Sequence, residues 1–396
     1  MGLKTVLTFE ALPKNLPLSK RAILGVFDIS GIQKYIFGGI TADTDGKDVG
    51  RRSLYVSRLT LYILKQLQSR YKILFDFASS GKLYCVFSPK TDLSELEAFS
   101  FELQKQVYAS TSGRLSLFFA FCETRIIKSD KFDNDKMTSA TSLLAENLSR
   151  EKLRPDQLVG LNMKDYFNET LTEKALVPES TRLKPCDNDC VAVKLDLDNL
   201  GAFFGSITSF DVKRAVSIAL DKAITEVLSA DKRINVILSG GDDIFFICDY
   251  GQHYDVISSL YKRLIIAIGS KEELKEYLEK GMFGISAGAT RVRGEFGAVP
   301  LLYYSESAEK MLDNAKKKHS KNCLCLDGRR LSWEQLAVLS LAITEHYNRL
   351  FPDKTTYNAV IKDPALLCDR ILKVNKVAHI LKDGSKELKT LEAYQI

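Results

Sequence analysis

Two stretches of this chain repeat one order of apolar periodicities, and that repetition limits the fold more than any single motif. In the first, a β-rich run at residues 25–30 (GVFDIS) precedes a helical stretch at 51–67. Strand-like runs at 73–77 (ILFDF) and 82–87 (KLYCVF) follow, joined by Ser79-Ser80-Gly81, and a helical stretch at 93–108 leads into 114–123 (RLSLFFAFCE). The order returns with VAVKLDLD at 191–198, a helix at 212–228, INVIL at 234–238 and IFFIC at 244–248. A helix at 254–268 and the strand FGISAGATRV at 283–292 complete this second unit, and a helix at 302–317 with the short strand CLCL at 323–326 closes it. Period-two and period-3.6 patterns are what half-buried strands and amphipathic helices impose on a sequence. Each stretch therefore reads βαββαβ, the order of a ferredoxin-like palm.

The expected class is α+β, with a first palm at 1–125, a polar helical connector at 126–188 (helical patches such as 142–153), a second palm at 189–330 and a small helical region at 331–396. A chain of 396 residues is long enough for such a division. Its 45% apolar and 27% charged residues are ordinary for a globular protein. No apolar run reaches the roughly 18 residues of a membrane span, and the first 20 residues lack the order of a signal peptide. Gly2 follows Met1, but Val6 breaks the myristoylation pattern. The expectation is a cytoplasmic protein without a membrane partner.

Five of the eight cysteines, Cys85, Cys122, Cys248, Cys323 and Cys325, fall in apolar, strand-like runs, where cysteine acts as a small hydrophobe. Cys186 and Cys190 sit in a polar stretch with no second close pair at zinc-finger spacing, so free thiols are expected and zinc at that pair is the alternative. The net charge of +6 permits a nucleotide or nucleic-acid partner without demanding one. Basic clusters at Arg51–Arg52, Arg291–Arg293, Lys316–Lys318 and Arg329–Arg330 read by default as solvated faces.

The acids carry the chemistry. Asp196 and Asp198 end an otherwise apolar strand, and alternation puts them on one face. Asp242 and Asp243 occupy the Ser239-Gly240-Gly241-Asp242-Asp243 turn, which the βαββ order sets beside that strand's end. Converging carboxylates repel unless divalent cations neutralise them. Two Mg2+ (or Mn2+) ions roughly 3.5–4 Å apart would then hold a triphosphate and activate a hydroxyl. Gly240 and Gly241 allow a tight turn whose amides approach phosphate. Taken alone, Gly-Gly-Asp-Asp is also an ordinary hairpin turn; its pairing with the Asp-Leu-Asp strand about 45 residues upstream makes the catalytic reading the better one.

The first unit serves as a control. Its Ser79-Ser80-Gly81-Lys82 aligns with Gly240-Gly241-Asp242-Asp243, and Asp28 and Ser30 align with Asp196 and Asp198. A unit with lysine in place of a turn carboxylate is not expected to hold two metals, but Lys82 or Arg51–Arg52 can face phosphates. Lys316, after the apolar stripe Ala308, Met311, Leu312 and Ala315, is a further candidate for phosphate, with Lys321 and Asn322 beyond it.

These motifs resemble the large polymerase-like subunit of type III CRISPR effector complexes. DISGIQKYIFGG (28–39) and RRSLYVSRL (51–59) look like its first palm; KLDLDNLGAFF (194–204), LSGGDDIFFI (238–247), GISAGATRV and LSWEQL (331–336) look like its second. The resemblance spans nearly the whole chain. It implies that the two palms face each other, that each binds ATP, and that ATP is joined into 3′–5′ cyclic oligoadenylates. It also implies Asp196, Asp242 and Asp243 as metal ligands. Ser30, Ser239 and Lys316 become nucleotide contacts, with Asp28, Lys82, Asp198, Asn199, Gly240, Gly241 and Lys321 as further nucleotide-binding candidates. Implied partners are ATP, guide-RNA complex subunits and target RNA, or a second copy if the chain stands alone.

Two departures stand out: fewer than 30 residues precede the first palm, and none of the four histidines is followed by aspartate, so no His-Asp nuclease and no DNA cleavage are expected. The zinc-binding insertion is reduced to Cys186 and Cys190 at most, and the C-terminal helical region is short. Alternatives are an adenylate-conjugate synthase, a diguanylate-cyclase-like enzyme and a nucleotide-sensing scaffold without catalysis. Phe204 and Leu238 stand where a guanine-reading palm favours asparagine and arginine, which disfavours GTP.

Overall fold

The computed structural model describes residues 5–340, apart from 15, 17, 19, 38–45, 80, 155–157, 159, 178–188, 241–242, 282, 293–300 and 318–320. In chain order the elements are β1 (Thr5–Phe9), β2 (Arg21–Ser30), α1 (Ile32–Phe37), α2 (Gly46–Arg70), β3 (Ile73–Ser79), β4 (Lys82–Phe87), α3 (Leu93–Ser110), β5 (Ser116–Lys128), β6 (Thr138–Ser139) and α4 (Ala140–Lys152). Two short helices, α5 (Met163–Tyr166) and α6 (Glu173–Leu176), lead to the second half. There follow β7 (Cys190–Leu197), α7 (Leu200–Ser206), α8 (Phe210–Ala230), β8 (Ile234–Gly240), β9 (Asp243–Asp249), α9 (His253–Gly269), α10 (Glu272–Glu279), β10 (Ile285–Val292), α11 (Leu301–Lys316), β11 (Cys323–Leu326) and β12 (Arg329–Ser332).

The strands form two six-stranded mixed sheets, β3-β4-β2-β5-β1-β6 and β8-β9-β7-β10-β11-β12. Laid side by side, β3 answers to β8, β4 to β9, β2 to β7 and β5 to β10. Each sheet then adds a parallel neighbour, β1 beside β5 and β11 beside β10. The class is α+β, with two palm-like sheets, as the duplicated pattern predicts.

Two features correct the sequence reading. The stretch from residue 126, taken as connector, begins inside β5, and its α4 packs on β5, β2 and β1 through the buried stripe Ala140, Leu144 and Leu148. α4 thus holds the place over the first sheet that α11 holds over the second. Cys190, expected in a loop, is instead the first residue of β7 and fully buried; Cys186 lies outside the described residues.

Each sheet buries one face under its own helices. Val191, Val193, Leu195 and Leu197 of β7 pack beneath α8 and α9, while Ala192 belongs to the opposite face, which looks toward α11 and the first half. In β2, Ile23, Phe27 and Ile29 face α2 and α3, whereas Ala22, Leu24 and Val26 face α4.

The halves exchange aromatic contacts across these second faces. Phe210, which opens α8, lies among Phe9, Phe75 and Phe77 of the first sheet, with ring centroids 5.9, 5.6 and 5.0 Å away. Conversely, Phe37 of α1 lies 5.6 Å from Phe245 of the second sheet. Asp211 accepts from the backbone N–H groups of Glu10 and Ala11, which locks this seam with a charged acceptor.

The basic pair at the start of α2 is spent on this architecture. Arg51 Nε donates to Glu173 of α6 at 2.6 Å, and Arg52 reaches the carbonyls of Tyr35 and Ile36. Glu173 also accepts from Tyr35 Oη at 2.8 Å. The alternative that Arg51–Arg52 face phosphates gives way to a helix-docking role. Among the described residues no helix is long and apolar enough to cross a membrane.

Candidate active site

The site begins as a matter of register. β7 and β9 pair antiparallel from Cys190↔Asp249 to Leu195↔Ile244, and one further step sets Asp196 opposite Asp243. Opposed residues of an antiparallel pair share a face with Cβ atoms about 4.5–5.5 Å apart. That face is the one carrying Ala192, Phe245 and Ile247, so both carboxylates look toward α11 and the first half.

The β8–β9 hairpin closes with Ser239↔Ile244 and Gly240↔Asp243. Gly241 and Asp242, expected at this turn, lie outside the described residues. Asp243 is exposed at the mouth of the hairpin.

Like charges opposed in a ladder destabilise it, and Lys316 answers this. Its ammonium lies 2.8 Å from Asp196 Oδ2, with the two side chains 33% and 16% exposed, so the pair is accessible but not fully solvated. The last turn of α11 is fixed from beyond: Arg330 donates to the carbonyls of Ala315 and Lys317. This basic residue of the 329–330 cluster is therefore a helix C-cap.

Asp198 departs from expectation. It is 2% exposed, and its carboxylate accepts from Ser286 Oγ at 2.9 Å and from the backbone N–H of Asn322 at 2.9 Å. The alternation that would set it beside Asp196 stops at Leu197, because Asn199 adopts φ 58° and turns the chain into α7. A nucleotide-contact role for Asp198 is replaced by a structural one, joining the end of β7 to the starts of β10 and β11. Gly284 accommodates it: a Cβ there would stand 2.8 Å from Asp198 Oδ2. Lys321 donates to Asn199 Oδ1 at 3.1 Å, so these two candidates meet at the rim of the same bend.

In the first half the equivalent ladder position pairs Asp28 with Lys82. Asp28 is 4% exposed and forms an ion pair with Lys152, the last residue of α4, as Asp196 does with the last residue of α11. Ser30 ends β2 opposite Ser116, half-buried. Lys152 lies in the helix that follows the first unit, as Lys316 lies in the helix that follows the second, and that match is the signal in the sequence that points to it. So one corner opposes aspartate to aspartate beside a lysine, and the other opposes aspartate to lysine beside a second lysine.

Gly288 of β10 lies under α11, and a Cβ there would fall 2.1 Å from Leu312 N and 2.3 Å from Ala308 O. Its ladder partner Lys194 is 5% exposed and donates to Glu309 of α11 at 2.5 Å. Among the described residues no cluster of three or more His, Cys, Asp or Glu side chains forms a ready metal cage. A cavity of about 640 Å³ opens between α3, β5 and α4, lined in part by Glu97, Phe119, Phe121 and Arg150, and no carboxylate of either corner lines it.

Residues 190–325 match the family model of Cas10/Cmr2, second palm domain, and residues 21–168 that of Csm1 subunit domain B. The chain is a Cas10/Csm1-like type III subunit. Among solved structures, a Csm1–Csm4 cassette in complex with cA4 matches with TM-score 0.57 at 16% identity, over 91% of this chain and 64% of that one. A Csm1–Csm4 cassette in complex with one ATP gives 0.55 at 16% identity over 94% and 68%. Csm1 of T. onnurineus gives 0.54 at 16% identity over 94% and 63%. At such identity these likenesses establish the shared fold. The Cas10/Csm1-like chain spans under two thirds of the first of these relatives. No curated protein matches it.

Proposed function

We propose that this chain is a magnesium- or manganese-dependent nucleotidyltransferase that joins ATP into 3′–5′ cyclic oligoadenylates as part of a type III CRISPR-type defence. The observation that carries the reading is the end of the β7–β9 ladder. There the register, carried one step past Leu195↔Ile244, brings Asp196 opposite Asp243, with Gly240 across the hairpin from Asp243 and Lys316 on Asp196. Carboxylate oxygens on one accessible face suit a hard divalent cation. Asp196 and Asp243, joined by Asp242 of the turn, are the residues that would hold it. Such an ion, when bound, lowers the pKa of an attacking hydroxyl and offsets charge on the leaving group.

The remaining work falls to the protein's own groups. Lys316 brings one positive charge to a corner of two or more carboxylates and suits triphosphate oxygens. Ser239 and Gly240 offer a hydroxyl and backbone N–H groups. Asn199 and Lys321 line the rim, while Asp198 keeps the bend beneath them in shape. Among the described residues no side chain nearby is placed as a general base, so in this reading the hydroxyl proton leaves to solvent.

In this reading residues 189–330 form the catalytic palm, and 1–125 with α4 form a holding palm. In the holding palm Lys82 and Lys152 outnumber Asp28 and suit the phosphates of a second ATP, with Ser30 at its edge. The Csm1–Csm4 structures holding cA4 and ATP support a nucleotide substrate and a role beside a partner subunit; guide-RNA subunits, target RNA and a cytoplasmic setting belong to the same proposal. Incubating the protein with Mg2+ and labelled ATP should yield adenylate products, and Asp242→Ala with Asp243→Ala should abolish them. Product that survives the double change refutes the assignment.

A second reading, ATP joined to a different small molecule held in the first palm, is favoured by the unlike composition of the two corners. Mass spectrometry of products separates the two. Adenylate-only masses support the first reading, and a mass with a non-adenylate part supports the second.

A further inference from the structure

Two ion pairs brace α11 against β7, and only one of them reaches the carboxylate corner. Lys316 meets Asp196; seven residues earlier on the helix, Glu309 meets Lys194, which precedes Asp196 by two residues on the same strand face. The spacing matches, since two turns of helix advance about 11 Å and two strand residues with their long side chains bridge much of that. Lys194 is enclosed: its ladder partners are Phe245 and Gly288, and α11 rests on Gly288 through the backbone of Ala308 and Leu312, on either side of Glu309. The ammonium therefore lies under the helix and does not face the corner.

The first half shows that this brace is not required to seat a helix. There Lys152 and Asp28 repeat the pair at the corner, but the place of Lys194 is taken by Val26, whose ladder partner is Ala120 where the second half has Gly288. Seven residues before Lys152 stands Ala145. The same architecture thus closes with Val, Ala and Ala. Lys194 is buried while its partner Glu309 is 44% exposed; the buried ammonium costs desolvation that a half-exposed carboxylate repays poorly, so stability alone does not account for Lys194.

We infer that Lys194 and Glu309 are a positioning pair, which fixes where α11 stands along β7 and thereby delivers Lys316 to Asp196. This rests on the proposed role of the Asp196–Asp243 corner and extends it to two residues that touch no substrate. The close seat at Gly288 serves the same end, since an alanine there would push α11 away from β10. Displacing a charged group by about 1 Å lowers turnover by as much as about a hundredfold, which is the scale on which the brace acts.

The test copies the first half into the second: Lys194→Val with Glu309→Ala in the full chain. The expected result is an unchanged melting temperature, turnover of ATP lowered at least tenfold in kcat with KM little altered, and faster amide exchange in the last turn of α11. Glu309→Gln alone, which keeps an acceptor for Lys194, should retain most of the turnover. Wild-type turnover and wild-type exchange in the double variant overturn the proposal. So does a lower melting temperature with turnover per folded molecule unchanged, which makes the pair structural. If the unaltered protein turns over no ATP, the proposed function falls. The brace is then judged by exchange alone: faster exchange in that turn upholds it and unchanged exchange overturns it.

Discussion

Replacing Asp198 measures how firmly the bend beneath the carboxylate corner is held. Its carboxylate takes two buried donors, Ser286 Oγ and Asn322 N–H, both at 2.9 Å, and no water-exposed surface is available to replace it. Hydrogen bonds to a charged acceptor contribute about 1.5–3 kcal/mol each, so Asp198→Ala forfeits about 3–6 kcal/mol. Asn322 N–H retains Ser286 Oγ at 3.2 Å as a second acceptor, which returns about 1 kcal/mol. The expected loss is about 2–5 kcal/mol, and Asp198→Asn, which keeps one acceptor, should lose roughly half of that. The chain has a single tryptophan, Trp333, which donates to Ile285 O at 2.9 Å and stacks on Tyr261 at 3.9 Å, so its fluorescence reports unfolding of this very region. With a urea slope of about 3 kcal/mol/M the midpoint should fall by about 1 M for the alanine variant. A midpoint unmoved while ATP affinity collapses would refute the structural assignment and return Asp198 to the nucleotide.

Lys316→Met should lower ATP turnover by about a hundredfold, yet move the melting temperature little, because a partly exposed ion pair contributes under about 1 kcal/mol; an assay pairing kinetics with thermal melting checks both. Gly288→Ala should destabilise by about 1–3 kcal/mol, since the new methyl meets the backbone of α11 rather than a movable side chain. Calorimetry of this variant beside Ala120→Gly in the first half tests the asymmetry. Burial pushes His253 down to about 4 from its ordinary 6.5. The unfolded chain therefore takes up a proton below about 6.5 that the native one refuses until about 4, and stability, full above 6.5, falls as the medium is acidified. Between pH 6.5 and 5 the loss is about 2 kcal/mol; urea midpoints across that range should show it, and His253→Asn should flatten the slope.

Periodicity made the repeated sheets legible, and β4 falls on the run read from KLYCVF. The correspondence of Lys82 with Asp243 was legible as well, because both hairpins have the same length and therefore the same register. What escaped did so for identifiable reasons. β1 is buried on both faces from Val6 to Phe9, so no in–out alternation marks it. α4 buries only a narrow stripe, so its sequence looks like polar connector, and Lys152 was hidden with it. The inward turn of Asp198 depends on one left-handed residue, Asn199, and strand alternation carries no warning of it. Arg51 finds its partner 122 residues away, a pairing decided by tertiary structure alone.

The exchanged aromatics at the seam mean that neither half of this molecule is a closed body. Strip away the second half and Phe9, Phe75 and Phe77 lose the ring that plugs them; strip away the first and Phe245 is laid bare. A lone palm would present a greasy wall to water and seek another chain to cover it. The two corners therefore share one fate on heating and in evolution: a duplicated palm whose copies have each become the lid of the other no longer has a spare part to shed.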